Sequence, residues 1–207
     1  MTLVFFDLDN TLVRGNMSVQ FGLFLLRRGL FSRWKLIATM GVYSLFSLGI
    51  VSFENMQQRV FQILFKGQKA EGVYKEAVAF CAQVFDTCVR PEIVSELQQF
   101  QQEGATVAIL SSSPDFIVTE FAKRFGVEQS IASSYLVNSQ GEFEVVAAFR
   151  GIDKAKALKL FPGHRRTVAF SDSMADISLL NLVDVPVVVS PDRALLKHAR
   201  KQGWRII

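Results

Sequence analysis

Two aspartates one residue apart, Asp7 and Asp9, follow the apolar run Leu3-Val4-Phe5-Phe6 in the opening segment FFDLDNTLVRG. Side chains two apart on an extended chain point the same way, so both carboxylates can reach one site. Like charges held together are unfavourable unless a cation or a shared proton relieves them. A hard cation such as Mg²⁺ suits carboxylate, carbonyl and water ligands. Matching chemistry recurs further along. The apolar run TVAIL ends in Ser111-Ser112-Ser113, and the run TVAF ends in Ser171-Asp172-Ser173 with Asp176 just beyond. Lys154 opens the segment before that second run. Aspartate is an established nucleophile toward phosphorus, forming an aspartyl-phosphate. In this set Asp7 would attack, and Asp9 would protonate the leaving oxygen and later activate water. Ser111 would hold a phosphate oxygen, and Lys154 would offset the charge around the phosphoryl group. Asp7 and Asp172 would be the side-chain ligands of Mg²⁺.

These residues need a scaffold that brings distant segments together. Thr2 to Phe6 reads as a buried strand. After Pro91, helical and apolar segments alternate: helix PEIVSELQQFQQEG, strand TVAIL, helix PDFIVTEFAKRFG, then helix DKAKALKLF, strand TVAF, helix MADISLLNL, strand VPVVVS and helix DRALLKHARKQG. That alternation predicts an α/β domain with a parallel sheet covered on both faces. SYLVNSQGEFEVV predicts a hairpin turning at Asn138 to Gly141. In such sheets function sits at the carboxyl ends of the strands, where the aspartates and serines fall. Pro114 is expected at the first helical position with Ser113 as its cap, directing free backbone N–H groups to the mouth of the site.

Between the first strand and Pro91 the pattern is helical throughout. MSVQFGLFLLRRG should stop at Gly29, SRWKLIATMGVYSLFSLG near Gly49, and FENMQQRVFQILFKG should start from a Ser52 cap. A fourth helix covers EGVYKEAVAFCAQVFDTC. The expected organisation is a core of residues 1–14 and 88–207 with an all-helical insertion over 15–87.

Half the residues are hydrophobic and a fifth are charged, so a packed core is expected. The net charge of +4 is mild and its clusters short, so no nucleic-acid partner is expected. Basic residues beside apolar ones favour an anionic substrate or a membrane surface. Cys81 and Cys88, seven apart, read as small buried residues of one helix face. His164 and His198 have no metal partner at useful spacing. Leu36 to Phe53 carries no charge over 18 residues, the lower limit for a membrane span. Its serines, threonine and glycines favour instead a buried or membrane-surface helix pair. The N-terminus has no basic region or cleavage site, so a cytoplasmic location is expected, with peripheral membrane contact through the insertion left open.

Together the motifs resemble those of the haloacid dehalogenase superfamily of phosphatases. DLDNT matches its D-x-D-x-T signature, VAILS its second motif, Lys154 in GIDKAKAL its third, and FSDSMAD its fourth, all in order. The resemblance implies a Rossmann-like doubly wound core and Mg²⁺-dependent hydrolysis of a phosphomonoester through an aspartyl-phosphate. It implies that the main-chain carbonyl of Asp9 completes the protein ligands, with Thr11, Ser173 and Asp176 in support around them. Placement of the insertion resembles the phosphoserine-phosphatase-like branch, whose helical cap closes over a small-molecule or lipid phosphate. Ser112 is assigned to substrate binding on the same footing. In that branch a Glu soon after the first motif helps hold the amino acid; the equivalent spacing here lands on Asn16. Arg59 is the candidate for the arginine that grips the serine carboxylate, one position out of register. An Asn before the last Asp of the fourth motif is here Ala175. These departures weigh against phosphoserine, and the insertion with Arg27, Arg28, Arg33 and Lys35 suits a lipid phosphate at least as well. A phosphotransferase, or a non-catalytic membrane-surface protein on the same fold, are the alternatives.

Overall fold

The computed structural model describes residues 1–147 and 151–207. A seven-stranded sheet runs through it, built from β1 (Thr2–Phe6), β2 (Thr106–Pro114), β3 (Gln129–Val137), β4 (Phe143–Ala147), β5 (Arg166–Ser171), β6 (Val185–Val188) and β7 (Arg205–Ile206). The order is β4-β3-β2-β1-β5-β6-β7. All neighbours pair in parallel except β3 and β4, which form the expected hairpin. Its turn is closed by the Gly141 N–H donating to the Asn138 carbonyl at 3.0 Å.

The strands are apolar on both sides, and their two-residue period sorts each side chain to one of two layers. Val4 and Phe6 of β1 join one buried cluster; Leu3 and Phe5 join the other. Phe6 stacks on Phe170 of β5, ring centroids 4.4 Å apart. The first layer is covered by α5 (Pro91–Gln102) and α6 (Asp115–Phe125). The second is covered by α7 (Gly151–Ala157), α8 (Ile177–Leu180) and α9 (Arg193–Gln202). This is the expected doubly wound, Rossmann-like arrangement.

Four helices lie between β1 and α5: α1 (Met17–Arg27), α2 (Arg33–Ser47), α3 (Phe53–Leu64) and α4 (Ala70–Cys88). The first three start on side-chain caps. Asn16 accepts from the Val19 N–H, Ser32 from Lys35 and Ser52 from Asn55, each satisfying a donor that the helix start leaves unpaired. The uncharged stretch Leu36 to Phe53 is broken after Ser47, and no helix among the described residues is long and apolar enough to cross a membrane. The helices share their core with the sheet. Phe65 meets Tyr135 of β3, Phe143 of β4 and Phe116 of α6 at ring distances of 5.3, 5.9 and 5.8 Å. Cys81 and Cys88 are free and buried on α4. Burial pushes their thiols up to about 12 and about 11, away from reactive thiolates.

Two expectations need correction. β2 continues through Ser111, Ser112 and Ser113 to Pro114, so Pro114 is the residue capping α6 and Ser113 lies in the strand. No side chain caps α6 at that position. Asp115 instead accepts from the N–H groups of Phe116 and Tyr135 at 2.8 and 3.1 Å, tying the start of α6 to β3 rather than offering it to an anion. The short β7 was not expected, because two residues are too few to show a period.

Candidate active site

β1 lies between β2 and β5, at the point where connections leave to opposite sides of the sheet. A crevice opens there at the carboxyl ends. A cavity of about 420 Å³ occupies it, lined among others by Asp7, Asp9, Asn10, Lys154, Asp172 and Asp176.

Asp7 continues β1 by donating its N–H to the Phe170 carbonyl at 3.0 Å. Its Oδ1 contacts Lys154 Nζ at 2.6 Å, and its Oδ2 accepts from Thr11 Oγ1 at 3.4 Å. Lys154, only 4% exposed, also meets Asp176 Oδ2 at 2.7 Å. Ser171 Oγ donates to that same oxygen at 2.7 Å. The chain after Asp7 turns sharply, with Asn10 at φ +57°, a left-handed conformation that asparagine tolerates better than most residues. The Asn10 side chain accepts from the Gly15 N–H at 3.0 Å.

Asp9 is turned toward the first helix. Its Oδ1 accepts from the Met17 N–H at 2.6 Å, and its Oδ2 accepts from Ser113 Oγ at 2.5 Å and Ser111 Oγ at 3.4 Å. Ser113 Oγ is also 2.7 Å from Ser18 Oγ on α1. The same carboxylate therefore bridges the end of β2 and the start of α1. Gln57 of α3 adds a second bridge by donating to the Ser112 carbonyl at 3.1 Å.

Among the described residues, four carboxylates thus gather around one buried ammonium, which touches Asp7 and Asp176. Burial foremost, opposed by Lys154 and reinforced by Asp176, Asp172 and Asp9, pushes the Asp7 carboxyl up to about 8. Burial and then Asp176 push Asp172 up to about 6. Burial also raises Asp9, against the pull of the Met17 N–H and Ser113. Burial works against the Lys154 charge, but Asp176 and Asp7 overcome it and hold the ammonium above its ordinary range. Among the described residues the site is short of positive charge, and its candidate ligand atoms are all oxygen, the chemistry that a hard cation fits. Among the described residues no three His, Cys, Asp or Glu side chains form a ready cage. A cation here would be held by fewer carboxylates, a carbonyl and water, as Mg²⁺ tolerates.

Of the residues singled out in the sequence, Asp7, Asp9, Asn16, Ser112, Lys154, Asp172, Ser173 and Asp176 line the cavity. Ser111 and Thr11 are buried just behind it. Ser173 caps the short turn that carries Asp176, accepting from the Ala175 N–H at 3.2 Å. Asn16 lines the rim and caps α1. Arg59 is exposed on α3 and is not among the lining residues. Sequence reasoning missed Phe46 and Phe53, which close the cavity from the α2–α3 turn. It also missed Ser113 as a donor to Asp9; the two-residue period of β2 places Ser111 and Ser113 on one side and could have found it.

A sequence model of haloacid dehalogenase-like hydrolases matches residues 4–181. A phosphoserine phosphatase of Mycobacterium tuberculosis is 27% identical over 98% of this chain and 69% of its own length. A histidinol-phosphatase of Neisseria meningitidis is 25% identical over 99% of this chain and 97% of its own. Among solved structures, a protein of unknown function from Bordetella pertussis superposes with a TM-score of 0.90 at 20% identity, covering 100% of this chain and 97% of that one. A phosphoserine phosphatase carrying a phospho-aspartyl intermediate analogue gives 0.68 at 19% identity, covering 99% and 91%. With the motifs in order, the doubly wound sheet beneath them and a family match over most of its length, this chain belongs to the haloacid dehalogenase-like hydrolases.

Proposed function

We propose that the protein hydrolyses a phosphomonoester through an aspartyl-phosphate on Asp7. The observation that carries this reading is that Asp7 and Asp9 face one cavity from the end of the central strand, with Lys154 2.6 Å from Asp7. Asp7 attacks phosphorus, forming the new O–P bond as the bond to the alcohol oxygen breaks. Asp9 donates its proton to that oxygen. Water then attacks the phosphorus, Asp9 takes the water's proton, and phosphate leaves with Asp7 restored. Burial of Asp9, which favours the protonated form, suits it to the first of these steps. Lys154 holds Asp7 in place and offsets the charge around the phosphoryl oxygens. The residues fitted to hold Mg²⁺ are Asp7, Asp172 and the carbonyl of Asp9, with Asp176 nearby. When bound, the ion would supply the positive charge that keeps Asp7 and Asp172 ionised and screens the phosphoryl group.

The alcohol of the preferred ester carries no carboxylate. Among the described residues Lys154 is the one cation that lines the cavity, and it already contacts two carboxylates. A carboxylate on the leaving group would meet further negative charge. Phe46 and Phe53 offer instead an aromatic surface to an apolar or cationic alcohol. Of the two activities named for the relatives, this favours histidinol phosphate over phosphoserine. The test is phosphate release with Mg²⁺ from phosphoserine, histidinol phosphate, sugar phosphates and phosphatidylglycerophosphate. Asp7→Asn should abolish release in folded protein; a fully active variant refutes the mechanism, and preference for phosphoserine refutes the leaving-group reading.

A further inference from the structure

From Asn10 to Phe53 the chain has no acidic residue and five cations, Arg14, Arg27, Arg28, Arg33 and Lys35. α2 lies within this stretch and buries only one side, at Thr39 and Val42. Its other side is open and uncharged beyond Lys35. Trp34 is 78% exposed, Ile37 56% and Met40 61%, and Leu48, just past the helix, is 73% exposed. Leu30 and Ile50, before and after the helix in the chain, are exposed as well. Soluble proteins seldom expose large apolar side chains in such succession.

The hydroxyls of α2 do not interrupt this face. Thr39, Ser44 and Ser47 each donate to the carbonyl four residues back, Lys35, Met40 and Tyr43, at 2.8, 3.0 and 3.0 Å. Their polarity is spent inside the helix, so the face can enter an apolar medium without stranding a donor. The cations gather at one end. Arg27 and Arg33 are exposed, Lys35 sits 5.6 Å from the Phe31 ring, and Arg28 pairs with Glu76 at 3.3 Å.

We propose that the outer face of α2 docks on an anionic lipid bilayer, lying in the plane of the interface with Trp34, Ile37 and Met40 inserted. Exposed apolar groups with Trp beside clustered Arg and Lys are what such a surface binds. A second copy of the chain is a poorer occupant: a two-fold contact presents the same surface from both sides, and the stretch from Asn10 to Phe53 holds no acidic residue to pair with Arg27, Arg33 and Lys35. The proposal does not depend on the reaction catalysed.

The test is sedimentation of the whole protein with vesicles of equal phosphatidylglycerol and phosphatidylcholine, compared with phosphatidylcholine alone. Binding should favour the anionic vesicles, weaken with salt and shift the Trp34 emission to the blue. The double variant Trp34→Ser, Ile37→Ser should bind at least about tenfold more weakly with an unchanged circular dichroism spectrum. Arg27→Ser and Arg33→Ser should each cost about fivefold on anionic vesicles. Absence of sedimentation with anionic vesicles at low salt refutes the proposal, as does undiminished binding by the double variant. A dimer in sedimentation velocity that Ile37→Ser dissociates also refutes it, and assigns the face to a second copy.

Discussion

Metal-free protein should lose stability as pH rises, against the usual behaviour of salt-bridged carboxylates. Asp7 and Asp172 are raised to about 8 and about 6 from an ordinary 3.8. For an acid with a raised folded-state pKa, the native state binds more protons than the unfolded chain between the two values. The slope of unfolding free energy with pH is therefore negative there. Stability is fully present below about pH 4 and is lost progressively up to about pH 6 for Asp172 and about pH 8 for Asp7. Asp9, raised by burial, has the same sign. Lys154 adds no slope in this window, because its folded pKa lies above the ordinary ammonium range and it stays charged throughout. At about 1.4 kcal/mol for each pH unit, Asp172 alone contributes about 3 kcal/mol. Between about pH 5 and about pH 8 the two together lose on the order of 5 kcal/mol, because Asp7 titrates across that whole window and Asp172 only across its first unit. With a urea dependence of about 2–3 kcal/mol per molar, the midpoint in chelator should fall by about 2 M between about pH 5 and about pH 8. Asp7→Asn removes the larger part, so in chelator at about pH 8 the variant should outlast the parent protein. Saturating Mg²⁺ should flatten the parent's slope by binding the ionised form. A flat or rising midpoint in chelator, or an Asp7→Asn protein no more stable than its parent at about pH 8, would show that the carboxylates are not crowded as described.

Ser113→Ala removes the 2.5 Å hydrogen bond to Asp9; at about 1.5–3 kcal/mol for a bond to a charged group, kcat should fall about 10- to 150-fold, with the Mg²⁺ requirement unchanged in a metal titration. Phe53→Ala should raise KM about tenfold for an ester with an apolar or aromatic alcohol and leave methyl phosphate nearly untouched; equal effects on both would mean that Phe53 acts through the fold. Phe65→Ala should cost about 3–5 kcal/mol in urea unfolding, in a single transition, because its ring joins α3 to β3, β4 and α6.

Much of this was readable in advance, for an identifiable reason. Asp7, Asp9, Lys154, Asp172 and Asp176 sit at strand ends or one helix start, where the backbone direction alone decides who meets whom. The cap at Ser52 was legible for the same reason, since the signal lies within four residues of its effect; the caps at Asn16 and Ser32 carry the same kind of signal and went unread. What depended on longer range was not. The end of β2 was misread because Ser113-Pro114 is a good local start for a helix. Pairing with β3, through Pro114 opposite Ser133, extends the strand past it. Tertiary pairing outweighed a local preference.

The substrate side shows the same limit more sharply. Arg59 was chosen by spacing within a helix, where one position of slip rotates a side chain by about 100°, and it faces solvent. Phe46 and Phe53 carry no chemical signal of their own; they reach the cavity because the chain turns between α2 and α3. That turn places one hairpin between two environments. Its inner residues close over the carboxylates, while the outer face of α2 stays apolar and open. A residue change within this hairpin can therefore alter either of two things without touching Asp7. Substitutions at Phe46 or Phe53 should act on the ester chosen, and substitutions at Trp34 or Ile37 on where the protein sits. Separating these effects in one set of variants would assign the hairpin's two faces independently of each other.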